Sequence, residues 1–155
     1  MIVYRKDGES LMPQTDKDLL QLLDERRKRT GKSWSKLTKE AGVYNATVYR
    51  WYRLGCNVYL DRWLTLLEAT GGWAFLRTKD GRLHRILSAN GTLNTHILSQ
   101  EAQRKGTALY LIGQKLGLGR GLVYNWATGT FPTLRSLCRV LEQLDMILVV
   151  RETRA

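Results

Sequence analysis

The side chains that most often carry chemistry in enzymes and metal sites are few and widely separated in this sequence. Its two histidines are His84 and His96, and its two cysteines are Cys56 and Cys138. Their spacing matches no zinc-ligand pattern, and no CxxC pair is present. We therefore expect no metal site, no cofactor, and free thiols of the kind found in cytosolic proteins.

Motifs of catalysis are also missing from the sequence. It contains no glycine-rich phosphate loop, no GxSxG motif and no HExxH motif. Acidic residues are sparse, and none has a spacing typical of paired catalytic carboxylates. The sequence therefore favours a protein that is not an enzyme.

Cationic side chains dominate the remaining polar chemistry. Lysine and arginine total 25 against 14 acidic residues, which gives a formal net charge of +11 shared by both halves of the chain. This excess favours a polyanionic partner such as nucleic acid, although the attraction is not specific by itself. Apolar residues make up 43% of the chain without a long uninterrupted run, so we expect a globular protein with no membrane span.

An internal repeat organises the elements that must position these side chains. Residues 29–51 read RTGKSWSKLTKEAGVYNATVYRW, and residues 104–126 read RKGTALYLIGQKLGLGRGLVYNW. Glycines, apolar positions and the final tryptophan coincide at an offset of 75 positions. After the tryptophan the offset becomes 74, and WAFLR at residues 73–77 lies opposite ILVVR at residues 147–151. We infer a duplication.

The duplication predicts two domains with the same order of elements. Copy one comprises residues 1–87, a linker follows at residues 88–92, and copy two comprises residues 93–155. Helical periodicity with glycine stops predicts four helices in each copy, at about 16–29, 33–41, 45–53 and 60–70 and at about 93–104, 108–116, 120–128 and 134–144. A short strand ends each copy, and the strand of copy one continues into a hairpin around Lys79–Gly81.

The second and third helices of each copy flank a glycine turn, at Gly42 and at Gly117. Buried apolar residues that hold two short helices at a fixed angle across such a turn form the helix-turn-helix pattern. Residues 117–144, GLGRGLVYNWATGTFPTLRSLCRVLEQL, resemble the Cro/cI-like (XRE, lambda-repressor-like) helix-turn-helix family in the order of turn, third helix, glycine, proline and leucine-rich fourth helix. Copy one departs from this pattern, because Gly55 comes one residue late and its loop lacks proline.

The resemblance implies a mainly α fold of two tandem lambda-repressor-like helix-turn-helix bundles whose third helices face a DNA groove. Carried over by position, the DNA-facing residues of copy one are Ser33, Trp34, Ser35, Lys36, Lys39, Tyr44, Asn45, Ala46, Thr47, Tyr49, Arg50 and Arg53. Those of copy two are Thr107, Tyr110, Gly119, Arg120, Gly121, Tyr124, Asn125 and Thr128. Arginines in these sets suit guanine and asparagines suit adenine, whereas hydroxyls and lysines suit phosphate.

By the same resemblance we expect a sequence-specific regulator of transcription that binds double-stranded DNA, with a repressor as the leading expectation. One chain then reads two half-sites of different sequence. The resemblance also implies a bacterial or phage-encoded protein that is located in the cytoplasm and associates with the nucleoid. Exposed strand segments favour a homodimer, and no small-molecule ligand is expected. Two alternatives stay open: an antitoxin-like or adaptor module that binds DNA weakly or only with a partner, and an excisionase-like protein that bends DNA.

Overall fold

A computed structural model describes residues 14–55, 57–119 and 121–152, and shows a mainly helical chain with one three-stranded antiparallel sheet. Copy one contains α1 (Asp16–Thr30), α2 (Trp34–Ala41), α3 (Asn45–Leu54), α4 (Leu60–Ala69), β1 (Trp73–Arg77) and β2 (Leu83–Arg85). Copy two contains α5 (Thr95–Arg104), α6 (Leu109–Lys115), α7 (Leu122–Thr128), α8 (Leu134–Gln143) and β3 (Ile147–Arg151). Arg120, a predicted site residue, lies outside the described residues, as does Cys56.

Most helix ends follow the sequence signals within one residue. Helix α1 starts with a capping box, in which the Thr15 hydroxyl accepts from the Asp18 N–H and the Asp18 carboxylate accepts from the Thr15 N–H. Gly42, at φ 70°, and Gly117, at φ 73°, take the left-handed conformation after α2 and α6. These two glycines therefore end the helices that the sequence predicted them to end.

Two helices of copy two begin later than predicted. Helix α5 starts at Thr95 rather than near Leu93, because the Asn94 side chain caps it by accepting from the Ile97 N–H at 3.3 Å. Helix α7 starts at Leu122 rather than near Arg120, because Gly121 takes φ 83° and cannot lie within a right-handed helix.

The sheet has the order β2-β1-β3, and each neighbouring pair is antiparallel. Strands β1 and β2 form the predicted hairpin, whose turn is closed by the Thr78 N–H donating to the Arg82 carbonyl at 2.9 Å. Residues 88–92, predicted as a linker, form a tight turn in which the Ser88 N–H donates to the Thr92 carbonyl at 2.7 Å. The chain therefore passes from copy one to copy two through hydrogen-bonded structure.

The two copies pair with each other at equivalent residues. In the β1–β3 ladder Phe75 lies opposite Val149, its counterpart in the repeat. A second antiparallel bridge joins Tyr59 to its counterpart Thr133. Antiparallel pairing centred on equivalent residues relates the paired segments of the two copies by a local two-fold axis. The sequence was also compatible with pairing of these strands between two chains. In the structure β1 and β3 pair within one chain.

One hydrophobic core spans both copies. Leu76 and Leu148 lie opposite each other in the sheet and are fully buried, and the same cluster includes Trp63 of α4 and Trp126 of α7. The Gln14 side chain adds a further link, because it donates to the Leu148 carbonyl and accepts from the Leu148 N–H. No helix of the described residues is long and apolar enough to cross a membrane.

Candidate nucleic-acid interface

The turn between α2 and α3 fixes how α3 lies on the rest of copy one. The Val43 N–H donates to the Thr38 carbonyl at 3.0 Å, and the matching bond in copy two runs from Leu118 to Gly113 at 2.9 Å. Leu37, Val43, Val48 and Trp51 are buried, as the sequence predicted for the inner faces of the two helices. Because apolar residues occupy its inner face, α3 presents its polar residues outward.

The outward face of α3 carries one amide, one phenol and two guanidinium groups. Asn45, Tyr49, Arg50 and Arg53 are all exposed. Asn45, Tyr49 and Arg53 follow one another every four residues and so share one side of the helix. The guanidinium carbon of Arg53 lies 5.4 Å from the centre of the Tyr49 ring, a distance that suits a cation–π contact. This face offers several hydrogen-bond donors on a rigid backbone.

The start of α3 is open to solvent. Tyr44, at the N-cap position, is 85% exposed and makes no side-chain cap. Ala46 is exposed and Thr47 is half-buried in the first turn. The predicted residues of this segment therefore form the outer end of the same face.

The start of α2 adds hydroxyl and ammonium groups beside α3. The Ser33 hydroxyl accepts from the Lys36 N–H at 3.2 Å and caps the helix. Ser35, Lys36 and Lys39 are exposed. Lys32 is paired with Glu40 at 2.7 Å, and this hydrogen bond holds the pKa of the Glu40 carboxyl below its usual value.

Trp34, also predicted to face DNA, packs against side chains of the neighbouring helices. Its ring is half-buried, with its centre 5.3 Å from that of Tyr52 and 4.9 Å from the Arg27 guanidinium. The Tyr52 hydroxyl donates to the Leu20 carbonyl, and burial raises the pKa of Tyr52. Tyr52 was not among the predicted site residues, because no motif of the sequence singles it out.

Copy two presents a face at the corresponding place with a different chemistry. Tyr110 of α6 and Tyr124 and Asn125 of α7 are exposed, and Thr107 is half-buried. Thr128 is exposed at the end of α7, where its hydroxyl donates to the Asn125 carbonyl at 3.0 Å. Among the described residues, this face offers phenol, amide and hydroxyl groups where α3 also offers guanidinium groups.

Two exposed glycines stand where α3 has its first residues. Gly119 is the repeat counterpart of Tyr44, and Gly121 is the counterpart of Ala46. Both lie in open space, since a Cβ atom placed on either would meet no other atom within 4 Å. The amino end of α7 therefore brings backbone, not side chains, to the surface at these two positions.

The exposed helices of both faces end close to the segment that joins the two copies. Only five positions separate Leu54, the end of α3, from Tyr59, which lies at the Tyr59–Thr133 bridge. The same number separates Thr128, the end of α7, from Thr133. A fully extended segment of that length spans at most roughly 17 Å. The carboxyl ends of both helices therefore lie within that distance of the bridge.

Neither a scan of protein-family models nor searches of curated proteins and of solved structures finds a match to this chain.

Proposed function

We propose that this chain is a sequence-specific regulator of transcription, of the repressor type, that binds double-stranded DNA. In this proposal α2 with α3 and α6 with α7 are two helix-turn-helix units of the lambda-repressor type. Helices α3 and α7 enter successive major grooves, and Arg50 and Asn125 reach base edges. The cationic excess supplies the sequence-independent part of the affinity.

The local two-fold axis is the observation that carries the proposal. Duplex DNA presents its major groove on one side once per helical turn, so helix-turn-helix dimers place their reading helices about 34 Å apart. The short connections from α3 and α7 to the axis are compatible with that spacing. Two exposed polar helices in this relation, within a chain of net charge +11, match what one monomer needs to cover two half-sites.

Selection of bound sites from random duplex DNA tests the proposal. We expect one enriched motif with two unlike halves centred about one helical turn apart, bound by a monomer. Affinity for that motif should exceed affinity for random DNA by at least about 1000-fold. If no motif is recovered and binding disappears as salt rises, the charge acts without sequence recognition and the proposal fails.

An open apolar groove on copy one supports a second candidate, a protein-interaction module of the antitoxin or adaptor kind. The groove is lined by Trp34, Val48, Tyr49 and Tyr52 between α2 and α3, with Asn45 and Arg53 at its rim. An exposed aromatic groove is a common docking place for an amphipathic helix. Co-purification of a stoichiometric partner that is lost on Tyr49→Ala, with DNA binding that requires this partner, would favour the module over the autonomous regulator.

A further inference from the structure

The two faces differ in net charge, although the repeat gives them the same framework. Four positions of copy one that lie on or beside α2 and α3 are cationic and have uncharged counterparts in copy two. The pairs are Lys32 and Thr107, Lys36 and Leu111, Lys39 and Gln114, and Arg50 and Asn125. Two positions differ in the opposite sense, because Lys115 and Arg120 are the counterparts of Glu40 and Asn45. Residues 32–53 therefore carry five cationic residues and one acidic residue, and residues 107–128 carry two cationic residues. None of the eight side chains in the four pairs is fully buried. The difference is therefore located on the surface and is not a consequence of packing.

The two faces also differ in helix length at the end that contacts base edges in helix-turn-helix complexes. Helix α3 has ten residues and begins at Asn45, whereas α7 has seven and begins at Leu122. Gly119 and Gly121 contribute no side chain to this end of copy two, while their counterparts Tyr44 and Ala46 are exposed at the matching end of copy one. Since the first residues of a recognition helix make many of its base contacts, these two positions of copy two offer no side chain with which to read sequence.

We propose that the two copies divide their roles on one DNA site. Copy one supplies most of the base discrimination and most of the phosphate neutralisation, and copy two holds the register and orientation of the complex. This inference rests on the proposed function. This division makes the DNA site asymmetric. The base pairs contacted by α3 are strictly specified, whereas those contacted by α7 tolerate substitution.

A matched pair of variants tests the division of base reading on the selected motif. Arg50→Ala should weaken binding by roughly 10- to 100-fold and relax the motif under α3. Asn125→Ala, at the equivalent exposed position, should weaken binding several-fold less than Arg50→Ala does. Arg120→Ala completes the set, because Arg120 is the repeat counterpart of Asn45 in the sequence. Thermal melting should be the same for wild type, Arg50→Ala and Asn125→Ala, since Arg50 and Asn125 are exposed.

A charge graft tests the division of phosphate contacts. Removing two charges from copy one with Lys36→Leu and Lys39→Gln should lower the slope of log affinity against log salt by about 1.8. Placing them on copy two with Leu111→Lys and Gln114→Lys should raise that slope by a similar amount. Both positions of copy two are exposed, so the graft should leave the melting temperature unchanged.

The outcomes separate the division from the proposed function. A selected motif whose two halves are equally specified, or equal losses for Arg50→Ala and for Asn125→Ala or Arg120→Ala, would overturn the division and leave the regulator proposal intact. Failure of the wild-type chain to select any motif would overturn the proposed function and the division of base reading with it. A grafted copy two that leaves the salt slope unchanged would show that its face does not lie against phosphate.

Discussion

At the scale of single residues, Cys138 shows how the core of this protein constrains a titratable group. It lies on the inner side of α8 and is buried. Burial raises the pKa of its thiol to about 12, and the nearby carboxylates of Asp16, Asp18 and Glu142 act in the same direction. The thiol therefore stays protonated in the folded protein at every pH at which the protein is handled, which favours a packing role.

The raised pKa of Cys138 predicts a loss of stability at alkaline pH. An unfolded cysteine loses its proton near pH 8.5, whereas the folded one keeps it to about pH 12. The contribution of Cys138 to the free energy of unfolding is fully present below about pH 8.5 and falls as the pH rises toward 12. In that range ionisation of the thiol stabilises the unfolded state but not the folded state. Between pH 8 and pH 10 the wild-type chain should lose about 1–2 kcal/mol more than Cys138→Ala.

Urea unfolding of both proteins at the two pH values measures this difference. The comparison cancels the lysine and tyrosine titrations that the two proteins share. Parallel losses of stability in wild type and variant would contradict a raised thiol pKa.

At the scale of elements, α6 and α7 pack through a contact that only a small residue allows. A Cβ atom at Gly113 would lie 3.0 Å from a methyl group of Val123. Copy one carries Thr38 there, which is buried and bonds back to the Trp34 carbonyl at 2.7 Å. The two copies therefore use different packing solutions for the same pair of helices.

Gly113→Thr should test that difference. The added atoms would press against Val123, whose branched side chain has little rotamer freedom in a helix, and overpacking of this kind costs about 1–3 kcal/mol. Chemical denaturation should show that loss, and a second change, Val123→Ala, should restore part of it. Gln114→Thr, at an exposed position of the same helix, controls for the helix propensity of threonine. Equal stabilities for the two threonine variants would show that the helices are free to separate.

Much of the element order could be predicted because its signals are local. The glycines that follow the helical pattern of apolar residues, Gly42 and Gly117, mark the ends of α2 and α6. The segments WAFLR and ILVVR form β1 and β3. The start of α7 could not be predicted, because the sequence around Gly121 is compatible with a helix and the left-handed φ of that glycine depends on its tertiary setting. The contacts of Trp34 with Arg27 and Tyr52 could not be predicted for a similar reason, since they bring together three separate helices.

For the whole molecule, the repeat predicted two equivalent units but did not predict how these units pack against each other. Antiparallel pairing of WAFLR with ILVVR satisfies the same hydrogen bonds whether the strands belong to one chain or to two, so the sequence left both arrangements open. In the structure the pairing lies within the chain, and the Tyr59–Thr133 bridge repeats it at a second place on the axis. The copies therefore meet through backbone hydrogen bonds as well as through side chains.

This arrangement predicts that the two copies unfold together. Leu66 of α4 and its counterpart Val140 of α8 are both fully buried in the core cluster that spans the two copies. Leu66→Ala should cost about 2–5 kcal/mol, and Val140→Ala should cost somewhat less because it removes fewer atoms. Since β1 and β3 complete each other's sheet, each change should lower the melting temperature of the whole chain.

Calorimetry distinguishes joint from separate unfolding. We expect one transition in the wild type and in each variant, with a calorimetric enthalpy equal to the van't Hoff enthalpy. Arg62→Ala, at an exposed position on α4, serves as the control and should leave the transition in place. Two resolved transitions, of which Leu66→Ala moves one and Val140→Ala moves the other, would mean that the copies fold as independent domains. A single transition, in contrast, means that the protein itself holds α3 and α7 at a fixed separation.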